Sequence, residues 1–467
     1  MKVLLVEDDE TIVDIFQSEA GAGAFTLTQV ADRTEAMAVL REGSFHLIVC
    51  DLKIPTSSKA MDEDPAHGRA VLTEVIESHA GTPVIAFSAH GTLPVMQELL
   101  ERARHADYLG EGVAAPMISF FRKDQITECL AKIHEIGASM AGLDSIEIAT
   151  GINLIDLDWE HERVLRIYAR KLGATVVKVS PLSGGMSHAR VLRLRLESAG
   201  AHVASVVAKL DTIATASAEN DRVETLVGPT LLSGSYPSAV TLVSAGASRC
   251  GGLFYRFAGG YETSLVDLIA SPSAGQLVAK IRSLLSPWVD GARVEEVSLA
   301  SVRELLAYQD KVPQDVLDQA SAAEASTISS RWCTAHCDLH VFNVLVGAGE
   351  TPMVIDFGAV QAAPPSLDPI TLELSLFFHP EARKALGSNW PSVEQAERWD
   401  DLAFYLENCP APMFVTACRE WAFDVAAGDR EVFAGLYAYA ARQFQFDPDV
   451  HPVAAGLVSC ALRRLST

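Results

Sequence analysis

The first 137 residues alternate without a break between short apolar, β-branched runs and longer segments whose apolar residues recur at helical spacing. The strand-like runs are "KVLLVE", "FTLTQVA", "FHLIVCD", "PVIAFSA" and "MISFF". Between and after them lie "TIVDIFQSEA", "RTEAMAVLRE", "GRAVLTEVIESH", "LPVMQELLERARHA" and "QITECLAKIHEIG", which read as helices. Five such units constrain the chain tightly, because a helix between successive strands returns the next strand parallel to the last. The predicted fold for residues 1–138 is therefore α/β, a doubly wound parallel five-stranded sheet of flavodoxin type with helices on both faces. Its ligand site is expected at the carboxyl ends of the strands.

Those ends carry polar groups in order. Glu7, Asp8 and Asp9 follow the first run, Asp51 the third, Ser88 the fourth and Lys123 the fifth. One aspartate at a strand end is usually a turn former or helix cap, and one lysine a surface charge. What sets this group apart is its occurrence on successive strand ends, with "LKIP" directly after Asp51. Over the whole segment it resembles the receiver domain of bacterial response regulators. The resemblance implies that Asp51 accepts a phosphoryl group from a sensor histidine kinase, and that Asp8, Asp9 and Asp51 hold Mg²⁺. It also implies that Ser88 and Lys123 contact the phosphoryl group and that Phe120 is the aromatic side chain that turns inward on switching. Two stretches depart from the family pattern: "TSSKAMDEDPAH" lengthens the loop after Asp51, and "YLGEGVAAP" the approach to the fifth strand. Lys123 lacks the proline that usually follows it, which leaves Arg122 as a competing cation.

The whole chain has 467 residues, enough for further domains. Its formal net charge of −23 would repel a phosphate backbone, and no Lys/Arg-rich segment offsets it, so nucleic acid is not an expected partner. There is no apolar run of membrane-spanning length and no secretory leader, and a cytoplasmic protein without a membrane partner is expected. The eight cysteines show neither a C-x-x-C pair nor zinc spacing and read as reduced thiols.

A polar, glycine-containing stretch, "GASMAGLDSIEIATG", marks a predicted linker over residues 139–155. The segment "WEHERVLRIYARKL", Trp159 to Leu172, is helical in spacing and is expected to carry a signal between domains. Strand signals then dominate. In the turn "LSGGMSH", Gly184 and Gly185 allow the backbone close to phosphate oxygens. Lys209, at the end of "SVVAKL", calls for an anion such as a nucleotide phosphate, and Glu224 on "TASAENDRVETLV" is its expected orienting carboxylate, with Glu219 as the alternative.

The densest cluster of chemistry is "HCDLHVFNVLV", His336 to Val346, followed ten residues on by "VIDFG". The pattern His-x-Asp-Leu-His-x-x-Asn resembles the catalytic loop of the aminoglycoside phosphotransferase and choline kinase group, within the protein-kinase-like fold. The resemblance covers residues 156–467 and implies an α+β bilobal domain, with a nucleotide lobe over about 156–258 and a helical lobe over about 259–467. It implies ATP and Mg²⁺ as cofactors. Asp338 would accept or orient the proton of an acceptor hydroxyl, and Asn343 and Asp356 would hold the metal. His336 and His340 would brace the loop, Asp368 would be structural, and Phe257 and Ala258 would border the adenine. Every position at which the template needs a charge is filled, which favours an enzyme over a gated binding scaffold. The short span from Gly358 to Asp368 leaves no room for a long activation segment, and Cys337 stands where an arginine would pair with an activation-loop phosphate, so a protein kinase is the lesser alternative. The acceptor is an unknown small molecule or protein.

Overall fold

A computed structural model describes residues 1–89, 104–150, 156–182, 189–237, 240–256, 260–261, 263–307 and 309–466. The chain divides into two compact units, Met1–Ala218 with Ala239–Phe257, and Glu219–Ser238 with Ala258–Thr467. The first unit contains two sheets. Strands β1 (Lys2–Val6), β2 (Thr26–Val30), β3 (Leu47–Cys50) and β4 (Val84–Phe87) are followed by a small hairpin, β5 (His105–Ala106) and β6 (Ala115–Pro116), and then by β7 (Ile118–Phe121). The main sheet runs β2-β1-β3-β4-β7, every pairing parallel. Alternation along the strands divides its core in two. Leu4, Val6, Ile48 and Cys50 pack against α2 (Arg33–Glu42) and α3 (Pro65–Ser78). Val3, Leu5, Leu47 and Val49 pack against α1 (Glu10–Gly21) and α4 (Ile126–Asp144). Asp9, Asp32 and Asp64 cap α1, α2 and α3 by accepting backbone N–H groups, which halts each helix at its expected start.

Two expectations change here. The helix read over Leu93 to Ala106 lies mostly outside the described residues, and its last two residues are instead strand β5. The stretch read as a linker is ordered: residues 139–144 are the last turns of α4, and β8 (Glu147–Thr150) is an edge strand of the second sheet. Met140, Leu143 and Ile146 are spaced so that each is buried, an apolar pattern hidden by the glycines around it.

The second sheet runs β12 (Thr241–Val243), β13 (Cys250–Arg256), β11 (Ala201–Thr212), β10 (Arg190–Ser198), β9 (Val176–Pro181) and β8. Helix α5 (Trp159–Lys171), with Glu160 and Glu162 in its first turn and Arg170 and Lys171 in its last, covers it. Tyr168 of that helix stacks on Phe254 at 3.7 Å between ring centres. Helix α6 (Ile213–Arg222) follows β11 and runs into a π-helical turn, Val223–Val227.

In the second unit, β14 (Thr263–Ser264), β15 (Arg293–Ser298), β16 (Thr327–Ala335), β17 (Val344–Gly347), β18 (Thr351–Val354) and β19 (Gln361–Ala363) form two small sheets, β14-β17-β18 and β15-β16-β19. They are embedded among helices that include α7 (Ala274–Val289), α8 (Leu367–Phe378), α9 (Pro412–Val425), α10 (Asp429–Arg442) and α11 (His451–Leu465). Every residue of α8 is buried. Its Glu373 is matched there by Arg419 of α9 at 2.7 and 3.0 Å and by the Trp399 indole N–H at 2.9 Å. No described helix is long and apolar enough to cross a membrane.

Gly68 of α3 shows how closely the helices approach the first site. A Cβ there would lie 2.4 Å from the backbone of Asp51 and Leu52. Gly68→Ala is expected to destabilise the protein by about 1–3 kcal/mol, because the methyl group meets backbone rather than a movable side chain. A lowered melting temperature is the readout, and an unchanged one contradicts this packing.

Candidate functional site

The carboxyl ends of β1, β3 and β7 bring together the first group. Asp51 is buried at the end of β3, and its backbone N–H continues the ladder by donating to Val6 O at 2.9 Å. Lys123, just beyond β7, places Nζ 2.7 Å from Asp51 Oδ2 and 2.8 Å from Glu7 Oε1. That decides between the two candidate cations, since Arg122 pairs instead with exposed Asp124 at 3.0 Å. Ser88 is buried at the end of β4, and Phe120 packs on the core beside β3 and β4.

The acidic pair differs from the one expected. Glu7, Asp8 and Asp51 offer ligand atoms that all lie within 4.8 Å of one another. Asp9 instead turns to the helix, its Oδ1 accepting the Thr11 N–H at 2.9 Å. Glu7 wins the inward place because its backbone still pairs as strand, donating to Val30 O at 3.0 Å, whereas Asp9 already caps α1. Burial pushes the Glu7 carboxyl up to about 7 against the pull of Lys123. Burial also raises Asp8, helped by Glu63 and Asp51. Three carboxylates against one lysine leave negative charge in excess, and Glu7 Oε2 is buried without a hydrogen-bond partner. Both features fit a divalent cation with oxygen ligands. The lengthened loop closes on itself through Lys53–Glu63 at 3.0 Å and a Thr56–Asp62 contact.

In the second sheet, Lys209 is half-buried near the end of β11, opposite Leu253 of β13. Gly184, Gly185, Phe257 and Ala258 lie outside the described residues. The two candidate carboxylates, Glu224 and Glu219, differ in exposure. Glu224 is exposed on the π-helical turn and accepts from Asn220 Nδ2 at 3.0 Å, whereas Glu219, one turn earlier, is buried.

The second unit builds its group on one loop. After β16 the chain turns at Cys337, φ +61°, and the Asp368 carboxylate accepts the N–H groups of His336 and Cys337 at 3.0 and 2.9 Å. Asp368 is structural, as expected. His336 Nε2 pairs with Ile355 O at 3.1 Å, which ties the loop to the stretch carrying Asp356. Asn343 Nδ2 donates to Asp338 O at 2.9 Å, and Ile355 N donates to Asn343 O at 2.9 Å, so Asp338, Asn343 and Asp356 share one hydrogen-bonded frame. Asp356 sits at φ +64°, a left-handed conformation rare for a residue with a side chain. Burial lowers His340 to about 4, so it stands neutral beside Asp338, with Nε2 4.0 Å from Oδ2.

Two parts of the chain match family models. Residues 3–110 match the family model of the response regulator receiver domain, and residues 270–400 that of the phosphotransferase enzyme family. The chain joins a receiver domain to a phosphotransferase-family domain. Among solved structures, a CheY-like receiver domain protein from Methanospirillum hungatei is 18% identical, covering 29% of this chain and 96% of its own, with a TM-score of 0.22. The choline kinase LicA from Streptococcus pneumoniae is 13% identical over 62% of this chain and 92% of its own, with a TM-score of 0.36. Aminoglycoside phosphotransferase APH(4)-Ia is 14% identical over 65% and 98%, with a TM-score of 0.40. No curated protein matches the sequence.

Sequence reasoning missed one residue of the phosphotransferase domain. Arg442, the last residue of α10, places NH1 2.9 Å from Asp338 Oδ1. Burial alone would raise the Asp338 carboxyl, but Arg442, followed by His340, holds it below its ordinary value. No local pattern announces an arginine that lies 104 residues away.

For the receiver domain, a proton and a cation compete for Glu7. Its raised value means that the carboxyl is protonated below pH about 7 and free to bind above it. Mg²⁺ affinity is therefore expected to rise from pH 6 to pH 8 and Glu7→Gln to weaken it mainly at pH 8, flattening the rise, while Asp9→Asn changes it little. Calorimetric titration checks this, and an Asp9→Asn loss as large as that of Glu7→Gln contradicts the ligand set.

Proposed function

We propose that this protein is a response regulator whose receiver, phosphorylated on Asp51 by a sensor histidine kinase, controls an ATP-dependent phosphotransferase acting on a hydroxyl acceptor. The observation that carries the reading is the shared frame of Asp338, Asn343 and Asp356, held by the Asn343 amide on Asp338 O and by the Ile355 N–H on Asn343 O. Lys123 bridging Asp51 and Glu7 supports the receiver half.

In the receiver, an Asp51 oxygen attacks the phosphorus of a phosphohistidine. An O–P bond forms, the P–N bond breaks and the histidine leaves. Glu7, Asp8 and Asp51 would hold Mg²⁺, which when bound neutralises the charge that gathers there. In the output domain, Lys209 is assigned to the nucleotide phosphates, and Asn343 and Asp356 to the metal that accompanies them. Asp338 orients the acceptor hydroxyl and takes its proton while the hydroxyl oxygen bonds to the γ-phosphorus. The bond from that phosphorus to the β–γ bridging oxygen breaks, and ADP departs. His340, kept neutral by burial, carries no charge beside Asp338 at neutral pH.

A second reading, a nucleotide-holding scaffold, draws on Arg442, which occupies one oxygen of Asp338. Turnover separates the two. A small phosphodonor with Mg²⁺ is expected to label Asp51, and Asp51→Asn to abolish the label; a label that survives that change removes the receiver assignment. Asp356→Ala should weaken Mg·ATP binding, while Asp338→Ala should leave binding intact and remove ATP turnover. Unchanged nucleotide affinity in Asp356→Ala, read by calorimetry, contradicts its role.

Arg442→Ala gives a further test. It is expected to lower turnover at least about tenfold at unchanged Mg·ATP affinity, with partial recovery in Arg442→Lys, because the arginine orients the carboxylate rather than the nucleotide. Faster turnover in Arg442→Ala would instead mark the ion pair as a brake and favour the scaffold.

A further inference from the structure

The turn between β12 and β13, residues 244–249, is held by the receiver at the amino ends of β4 and β7, opposite the ends that carry Ser88 and Lys123. Both lie in the first compact unit. Gly81, at the entrance to β4, donates its N–H to Ser248 O at 2.7 Å and accepts from Gly246 N at 2.7 Å. Arg104 bridges Ala80 O at 2.5 Å and Ser244 O at 2.7 Å. On the far side of the turn, Arg249 donates to Leu40 O at 2.5 Å and to Arg41 O at 3.2 Å, among the last carbonyls of α2. Met117, the residue before β7, is buried with Tyr108 and Ala245. Gly246 stands at φ +92°, and a Cβ on it would lie 2.1 Å from Tyr108 O. The contact is thus close-packed and backbone-specific rather than a loose surface touch.

The strands involved are short. β4 and β7 have four residues each, and the chain from Gly81 to Ser88 or from Met117 to Lys123 spans roughly 20 Å. β13 leaves the turn directly and pairs with β11, where Leu253 lies opposite Lys209. Two pairs of strands, β7 with β4 and β13 with β11, are thus joined by the hydrogen bonds of this turn, and together they connect the Lys123 contact with Asp51 to the lysine assigned to the nucleotide phosphates.

Resting on the proposed regulation, we propose that the 244–249 turn is the element through which the state of Asp51 reaches Lys209. A phosphoryl group on Asp51 takes away the carboxylate oxygen that Lys123 holds at 2.7 Å and offers phosphoryl oxygens farther out. Lys123 and β7 then settle differently, and the amino ends of β7 and β4 carry the turn with them. The coupling is a difference in free energy between two settings of this turn, so loosening its grip removes the difference without removing either site. Helix α5 also touches the receiver, through Arg170 and Glu111 at 2.6 Å, and provides the rival route.

The test uses the full chain, beryllium trifluoride with Mg²⁺ as a stable phosphoryl mimic, and a non-hydrolysable ATP analogue. Wild type is expected to show at least a threefold difference in analogue affinity with and without the mimic, about 0.65 kcal/mol, and Asp51→Asn none. In Arg104→Gln and Arg249→Gln the ratio should fall towards one while Asp51 still takes the label and the melting temperature stays near wild type. Arg170→Gln should keep the wild-type ratio. A full ratio in both turn variants overturns this inference and leaves the regulatory reading standing, as does a ratio lost only in Arg170→Gln. A wild-type ratio of one overturns the regulatory reading and this inference with it.

Discussion

A carboxylate taken out of water must be matched by a cation or by donated N–H groups, or else it gives up its charge. Both halves of this protein are arranged around that constraint. In the receiver, Lys123 serves two buried carboxylates at once, Asp51 and Glu7, and cannot neutralise both, so the group keeps a demand for positive charge. The phosphotransferase domain uses different means for different acids. Asp368 is satisfied by two backbone N–H groups, Glu373 by Arg419 and an indole, and Asp338 by Arg442. The acids matched by main chain or by fully buried partners hold the loop and the core together. Those matched by one shared or half-exposed cation are the ones assigned to chemistry.

The same reasoning explains why the receiver and the second sheet form one unit. Backbone groups at the amino ends of β4 and at the end of α2 need partners, and the 244–249 turn supplies them, with Arg104 and Arg249 bonding carbonyls on both sides. The end of the receiver sheet that binds the second sheet is therefore the end opposite Asp51. Four-residue strands join that end to the one that carries Ser88 and Lys123, and the turn is packed closely against it.

Much of this was legible in the chain. Five strand runs with helices between them specify a parallel sheet, and Asp51 and Ser88 at their ends follow from that, whereas Lys123 and Arg122 stayed level until the fold placed Lys123 on Asp51. The loop from His336 to Asn343 and Asp356 were legible for a different reason: polar groups stand there where apolar runs stop, in a pattern that resembles a known family. What could not be read was the choice among equals. Glu7, Asp8 and Asp9 are three consecutive acids, and only the strand ladder at Glu7 and the helix cap at Asp9 decide which face inward. Likewise, Glu219 and Glu224 share a helical segment, and the π-helical turn leaves the second exposed. The helix end and edge strand at 139–150 were not legible, because glycine and serine outweigh the three spaced apolar residues there.

The sequence by itself determined the elements, their order and the identity of most groups at their ends, because those depend on local periodicity and on the fixed geometry of βα units. Only the tertiary structure decided which cation meets which carboxylate. Arg442 reaches Asp338 from a helix 104 residues later, Arg249 reaches the end of α2 from 209 residues later, and Lys123 rather than Arg122 turns inward. Such pairings are set by how packed layers bring distant side chains within a few ångströms, and nothing in the neighbouring residues records that distance.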